Sequence, residues 1–132
     1  MSVTTQRPQV MVGILTGSPN DLPTVVKVRD TLSELGISSE IVVASAHRTP
    51  DKVFAYLERA HQEGVQVLIG CAGVAAHLAG VIAGHTKLPV IGLPLWSSTH
   101  GDSASETRSA TRSAVVMRSV PRSLNVRQIS SR

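Results

Sequence analysis

Four short aliphatic runs constrain this chain most, at residues 10–15, 41–44, 65–69 and 88–93. Each is continuous and bounded by turn-forming residues, which is typical of a strand buried on both faces of a parallel sheet. Helical patterns separate the runs, and Gly36 and Gly64 are placed as the ends of the first two. The alternation predicts an α/β fold: a three-layer, doubly wound parallel sheet of the flavodoxin or Rossmann kind.

Three helices are expected between these strands. The first has apolar residues three or four apart, namely Val25, Val28, Leu32 and Leu35. The second starts with Thr49 as N-cap and Pro50 in the first turn, and the third is a small-residue helix over 73–84. Ligands of such folds bind beyond the carboxyl ends of the strands, which selects residues 16–21, 44–50 and 70–78.

The last thirty or so residues break this pattern. Residues 1–102 carry seven Lys/Arg and eight Asp/Glu, whereas residues 103–132 carry six Arg, eight Ser and only Glu106. The formal charge of +4 therefore belongs to the tail. Its one short apolar run is 115–117, so we expect no strand or amphipathic helix there. We divide the chain into an α/β domain (1–98) and a divergent Ser/Arg-rich basic tail (99–132).

Composition bears on the redox compartment, on membrane association and on metal binding. Cys71 is the single cysteine and lies in an apolar run, which favours a buried, inert thiol in a reducing compartment. No apolar run reaches the roughly 20 residues that span a membrane, and residues 1–9 lack a signal-peptide pattern. The five histidines never adopt a metal-ligand spacing, so no metal site is predicted. We expect a cytoplasmic protein without membrane association.

The first ligand-edge segment is residues 17–21. Gly17 would let a ligand approach the backbone, and Ser18 and Asn20 offer hydrogen bonds. Free N–H groups at a helix start favour an anion, and Asp21 is suited to accept from sugar hydroxyls. The alternative is simple helix capping by Ser18, Asn20 or Asp21.

The second segment, 45–50, combines a hydroxyl, an imidazole and a guanidinium. Arg48 can hold a phosphate through two parallel hydrogen bonds, with Ser45 beside it. His47 carries the side chain best matched to proton transfer near neutral pH. The alternative is a solvated surface pair of His47 and Arg48.

The third segment, 70–78, is rich in small residues. Gly73 and Ala76 would let backbone amides approach a flat ligand, with His77 and Leu78 next along the chain. Close helix–sheet packing also requires small residues, and His77 is equally suited to a site or to a cap.

In this order the three segments resemble the N5-carboxyaminoimidazole ribonucleotide mutase family, over roughly residues 10–98. The family pattern has a Gly-Ser-x-Ser-Asp loop, a Ser-Ala-His-Arg-Thr-Pro loop, an Ala-Ala-His-Leu-Pro-Gly segment and a Leu-Pro-Val-Ile-Gly-x-Pro strand. These stand here at 17–21, 45–50, 75–80 and 88–94. The second motif is highly specific in this context.

The resemblance implies a role in purine synthesis: interconversion of N5-carboxyaminoimidazole ribonucleotide and 4-carboxy-5-aminoimidazole ribonucleotide without a cofactor. It implies that Ser18 and Asp21 bind the ribose-phosphate, that Ser45 and Arg48 hold the phosphate, and that His47 is the general acid/base. The remaining substrate-binding positions would be Gly17, Asn20, Gly73, Ala76, His77 and Leu78. Carbon dioxide would be released and recaptured in a closed site of a homo-octamer.

Other functions stay open. Direct carboxylation of aminoimidazole ribonucleotide by carbon dioxide is one, and a non-catalytic ribonucleotide-binding remnant is another. Nucleic-acid binding through the tail is disfavoured, because no aromatic stacking residues accompany its arginines.

The sequence also departs from the family. Asn20 stands in place of a serine, Val74 in place of a glycine and Ala79 in place of a proline. After Ser98 the family has an Asn-Gly-x-Asp-Ser-Leu segment, a Gln-Met-Pro-Gly loop, a fifth strand and a final helix, which we do not find. A reading-frame change near residue 99 or genuine divergence would explain this. The abrupt change in charge favours the first.

Overall fold

A computed structural model of the chain describes residues 9–73, 77–95 and 115–117. The chain forms strands β1 (Val12–Thr16), β2 (Ser39–Val43), β3 (Val67–Ala72), β4 (Val90–Pro94) and β5 (Val115–Met117), and helices α1 (Leu22–Glu34), α2 (Pro50–Gln62) and α3 (His77–His85). A 3-10 turn (Pro19–Asp21) precedes α1. The strands form one sheet in the order β2-β1-β3-β4-β5. The first four are parallel, which confirms the predicted doubly wound α/β fold.

The core lies on both faces of the sheet. On one face, α1 places Val25 against Ile14 and Cys71, all of them fully buried. On the other face, α2 and α3 place Val53 and Ile82 in a cluster with further strand residues. Every residue of β1 is buried, as its continuous apolar run predicted. Truncating a buried leucine or isoleucine here to alanine would cost about 2–5 kcal/mol.

The predicted helix ends are confirmed at the two glycines. Gly36 and Gly64 have φ of 75° and 82°, in the left-handed region that favours glycine, and each follows the C-cap residue of a helix. Leu35, which the periodicity placed on the apolar face of α1, is 69% exposed. It lies beyond Glu34, where the helix has already ended, so its side chain no longer faces the sheet.

Small residues at the β3–α3 contact allow close packing. A Cβ atom on Gly70 would lie 2.9 Å from the Ala79 Cα, closer than real Cβ atoms approach other atoms. Ala79, where the resembled family has proline, is itself fully buried. Part of the small-residue pattern in the third segment is therefore explained by helix–sheet packing.

Strand starts were the least accurate predictions. The apolar run at 65–69 predicted a strand from Val65, but β3 begins at Val67. The Val65 N–H donates to the Ala60 carbonyl at the end of α2 (3.0 Å), so it is not available to a neighbouring strand. The hydrogen bonds between the strands therefore begin later.

The expectation that residues 103–132 contain no strand was wrong at one place. Val115–Met117 pairs antiparallel with β4, with Val116 opposite Ile91. A three-residue run gave too little periodicity to predict a strand, but the free edge of β4 offers its backbone hydrogen bonds. The rest of the tail, 96–114 and 118–132, lies outside the described residues.

None of the helices in residues 9–73 and 77–95 is long and apolar enough to cross a membrane. Within the same residues, no group of three His, Cys, Asp or Glu side chains is placed to hold a metal ion.

Candidate functional site

The three predicted segments emerge at one edge of the sheet. The parallel register places Thr16, at the end of β1, between Val43 of β2 and Cys71 of β3. The loops that follow these strands are therefore neighbours, as the topology predicted. A Cβ atom on Gly17 would lie 3.9 Å from the Ser45 Cα, so the first two loops are in ordinary contact.

The first loop is organised by Ser18. Its Oγ accepts a hydrogen bond from the Asn20 N–H (3.2 Å), and the Thr16 hydroxyl donates to its carbonyl (3.5 Å). The capping interpretation is thus correct for Ser18, which caps the 3-10 turn. Its hydroxyl proton still remains for a further acceptor. Asn20 is exposed and Asp21 half-buried, so both are accessible to a ligand.

The second loop is closed by hydrogen bonds between Ser45 and its successors. The Ser45 Oγ accepts from the N–H groups of His47 (3.3 Å) and Arg48 (3.2 Å). Both lone pairs of this oxygen are then used, which leaves its O–H as a donor suited to an anion. The side chains of His47 and Arg48 are exposed.

Thr49 has a role that the sequence did not reveal. It occupies the N-cap position of α2, as predicted, but its side chain makes no capping hydrogen bond. Instead, Thr49 Oγ1 accepts from the Ser45 N–H (2.9 Å) and donates to the Ser45 carbonyl (3.3 Å). Because threonine is a common N-cap residue, the sequence indicated capping by Thr49 and not its hydrogen bonds to the Ser45 backbone. A serine four residues before a threonine, between a predicted strand and a predicted helix, was the available signal.

The third segment meets the second through two imidazoles. The rings of His47 and His77 lie edge to face, with centroids 5.9 Å apart and planes at 73°. His77 is the exposed first residue of α3, and Gly73 is exposed just after β3. Leu78 is only 4% exposed, so its side chain belongs to the core. Ala76 lies outside the described residues.

Cys71 and Asp21 show that the first loop also reaches the end of β3. Burial, and secondarily the negative charge of Asp21, raise the pKa of the Cys71 thiol to about 12. The thiol therefore stays protonated near neutral pH and is a poor nucleophile. This agrees with the prediction of a buried, inert cysteine.

The edge combines one guanidinium, two imidazoles, two free hydroxyl protons and one half-buried carboxylate. The guanidinium and the hydroxyls are suited to phosphate, and Asp21 is suited to sugar hydroxyls. The imidazoles can transfer protons. Together these groups are suited to an anionic ligand that carries hydroxyl groups.

Comparison with known proteins identifies the family of this chain. The AIR carboxylase family matches residues 11–123. The chain belongs to the AIR carboxylase family. The N5-carboxyaminoimidazole ribonucleotide mutase of Thermotoga maritima is 50% identical over 88 residues, which are 67% of this chain and 52% of that protein. The mutase of Bacillus subtilis is 49% identical over 89 residues, 67% of this chain and 55% of that protein.

A plant carboxylase and a solved bacterial structure are also similar to this chain. The chloroplastic phosphoribosylaminoimidazole carboxylase of Vigna aconitifolia is 43% identical over 89 residues, 67% of this chain and 16% of that protein. The crystal structure of PurE from Treponema denticola superposes with a TM-score of 0.62 at 28% identity, covering 77% of this chain and 64% of that one. The chain spans about half the length of the mutases it matches.

Proposed function

We propose that this chain binds a phosphorylated aminoimidazole ribonucleotide and interconverts its N5-carboxy and 4-carboxy forms. The site is the edge of the sheet where β1, β2 and β3 end, which we call the carboxyl edge. The contact between His47 and His77 carries the proposal, because it brings a proton-transfer group of the second loop against the third segment. The relatives named as mutases at 49–50% identity support the same reaction.

Substrate binding divides between the loops. Arg48 and the Ser45 hydroxyl take the phosphate, since an exposed guanidinium and a hydroxyl with a free proton lie together just before α2. Ser18 and Asp21, with Gly17 and Asn20, take the ribose-phosphate portion. His77, Gly73 and Leu78 line the space for the imidazole ring and the carboxylate, the buried Leu78 through its backbone; Ala76 is assigned to the same space from its sequence motif alone.

His47 carries the proton through the reaction. Its protonated imidazole gives a proton to the carbamate nitrogen, the N–C bond breaks, and carbon dioxide and aminoimidazole ribonucleotide result. The ring carbon C4 then attacks the carbon dioxide and forms a C–C bond. The neutral His47 takes the C4 proton, which restores its starting state. No cofactor enters this sequence, and its rate depends on holding carbon dioxide beside the nucleophile.

The assembly and setting of the enzyme belong to the same proposal. We place it in the cytoplasm as a homo-octamer, with residues 1–98 as the mutase-like domain and 99–132 as a divergent tail. The boundary at residue 98 rests on the change of charge and pattern along the sequence, and the family match itself runs past it to residue 123.

The test is turnover of N5-carboxyaminoimidazole ribonucleotide by the purified chain, followed by the rise of the 4-carboxy product. His47→Asn should lower kcat by about 10²–10⁴-fold, the usual contribution of a general acid/base. Arg29→Gln, an exposed change on α1, is the control and should leave turnover unchanged. Equal activity of His47→Asn and the control would refute the role of His47.

Direct carboxylation is the second candidate, favoured by the 43% identity to a phosphoribosylaminoimidazole carboxylase. It predicts product from aminoimidazole ribonucleotide and bicarbonate at a rate that rises with carbon dioxide. Binding of the ribonucleotide without either reaction would instead identify a non-catalytic remnant.

A further inference from the structure

A groove between α2 and the end of α3 lies apart from the carboxyl edge. It has a volume of about 350 Å³ and is lined mainly by Phe54, Glu58, His61, His85 and Lys87. Helix α2 runs from the carboxyl edge towards the amino ends of the strands, and α3 ends at His85 before β4 begins. The groove therefore opens towards the amino ends of the strands, and the proposed reaction uses none of its residues.

One wall of the groove is aromatic. The Phe54 ring lies on the His85 imidazole, with centroids 4.5 Å apart and planes at 39°. Phe54 is 38% exposed, an unusual position for the single phenylalanine of the chain. The nearly buried Leu57 lies beside it on the same helix. These side chains offer a flat, apolar surface to a ring.

The His85 tautomer is set by its own helix. Its Nδ1 lies 2.9 Å from the Val81 carbonyl oxygen. A carbonyl only accepts, so Nδ1 carries the proton and Nε2 is the nitrogen left for a ligand. The imidazole is therefore held in a fixed orientation beside Phe54.

The polar lining favours a negative ligand. The Lys87 ammonium and the His61 imidazole face the groove with a single carboxylate, that of Glu58. Within the described residues, the ion pairs are those of Arg29 and Arg59, so Lys87 is not neutralised by Glu58. A carboxylate in the groove would supply the partner that Lys87 lacks.

We propose that this groove is a second ligand site, which takes a small planar aromatic carboxylate. The ring stacks on the wall formed by Phe54 and His85, and the carboxylate meets Lys87 and His61. The volume lies within the range of small-molecule pockets, at the end suited to a single ring. The chemistry differs from that of the carboxyl edge, where Arg48 and Ser45 are arranged for a phosphate.

The test is titration of the full chain with three matched probes, benzoate, benzamide and cyclohexanecarboxylate, observed by NMR shifts of the backbone amides. Benzoate should saturate the shifts of α2 and of residues 85–87, with a Kd of about 1 mM or below. Benzamide lacks the charge and cyclohexanecarboxylate lacks the flat ring, so each should bind about tenfold more weakly.

Two variants and a control make the test specific. Lys87→Gln and Phe54→Leu should each weaken benzoate binding about tenfold, whereas Lys27→Gln, on the opposite face of the sheet, should not. Equal binding of benzoate and benzamide, or an equal loss in Lys27→Gln, would overturn the proposal. A fall in the molar mass of the assembly in Phe54→Leu, with no benzoate binding to the parent, would also overturn it and identify a subunit contact.

These measurements do not use turnover. Benzoate binding in a chain without mutase activity would leave this site standing while the proposed reaction fails.

Discussion

His47 and His77 come from different loops, yet their imidazole rings meet edge to face with centroids 5.9 Å apart. Both residues are exposed, so the contact contributes little to folding. It joins the second and third segments at the edge where we place the substrate.

The first prediction concerns this ring contact. His77→Asn removes the ring and should lower kcat/KM of the mutase reaction about tenfold, the kinetic equivalent of about 1.4 kcal/mol. His77→Phe keeps the ring and should retain activity within about threefold of the parent. Denaturant unfolding should change by less than about 0.5 kcal/mol in both, because the position is exposed. Equal losses in the two variants would show that the nitrogens of His77, and not its ring contact, matter.

The second prediction concerns closure of the His47 loop by Thr49. Thr49→Val keeps the shape but removes the hydroxyl that pairs with both the N–H and the carbonyl of Ser45. Stability should fall by about 1–2 kcal/mol, and turnover should fall because His47 and Arg48 lose their fixed loop. Thr31→Val is the matched control, since Thr31 donates only to the Lys27 carbonyl on exposed α1. Turnover unchanged in Thr49→Val would contradict the role given to this loop.

The sequence predicted the order of elements and the placement of the site because both depend on local pattern and chain topology. Continuous apolar runs identify buried strands, and the crossover rule then places residues 17–21 and 45–50 side by side. The contact of Gly17 with Ser45 required no further information.

What the sequence did not predict depends on distant pairing. Val115–Met117 forms a strand only because β4 leaves an edge free, and three residues carry no periodicity of their own. The use of Thr49 in the loop rather than in the cap depends on where the Ser45 backbone lies. The apolar spacing of α1 extends to Leu35, but the helix ends at Glu34. Leu35 was therefore wrongly placed on the apolar face of the helix.

The third prediction uses the pKa of Cys71, raised from 9.0 to about 12 by burial and by Asp21. The folded state keeps the proton that the unfolded chain loses above pH 9, so this contribution to stability is complete below pH 9. It is lost as the pH rises from 9 towards 12, by about 1.4 kcal/mol for each unit.

Denaturant unfolding between pH 8 and pH 10.5 tests this loss against Cys71→Ala. The parent should lose more stability than the variant over this interval. Burial also raises the pKa of Tyr56, helped by its hydrogen bond to Glu40, and this group is common to both proteins. Parallel stability curves for the two proteins would show that the thiol does not titrate as inferred.

The fourth prediction concerns the β3–α3 contact. Gly70→Ala would place a Cβ 2.9 Å from the Ala79 Cα, which is backbone that cannot rotate away. The strain should cost about 1–3 kcal/mol. Gly80→Ala is the matched control, because a Cβ there meets open space within α3 and alanine favours helix by up to about 1 kcal/mol. Thermal unfolding should therefore move in opposite directions in the two variants, and a shared direction would contradict the packing described.

The last prediction concerns the effect of β5 on stability and association, apart from that of residues 118–132. A chain ending at residue 98 lacks Val115–Met117 and leaves the edge of β4 unpaired, whereas one ending at residue 117 keeps the three paired positions. Because each cross-strand pair contributes about 0.2–1 kcal/mol, the shorter chain should be less stable by about 1–2 kcal/mol. An unpaired edge also templates association between chains, so light scattering should rise in the shorter chain alone. Equal stability and equal scattering of the two would mean that β5 does not protect this edge and that residues 1–98 are sufficient for the fold.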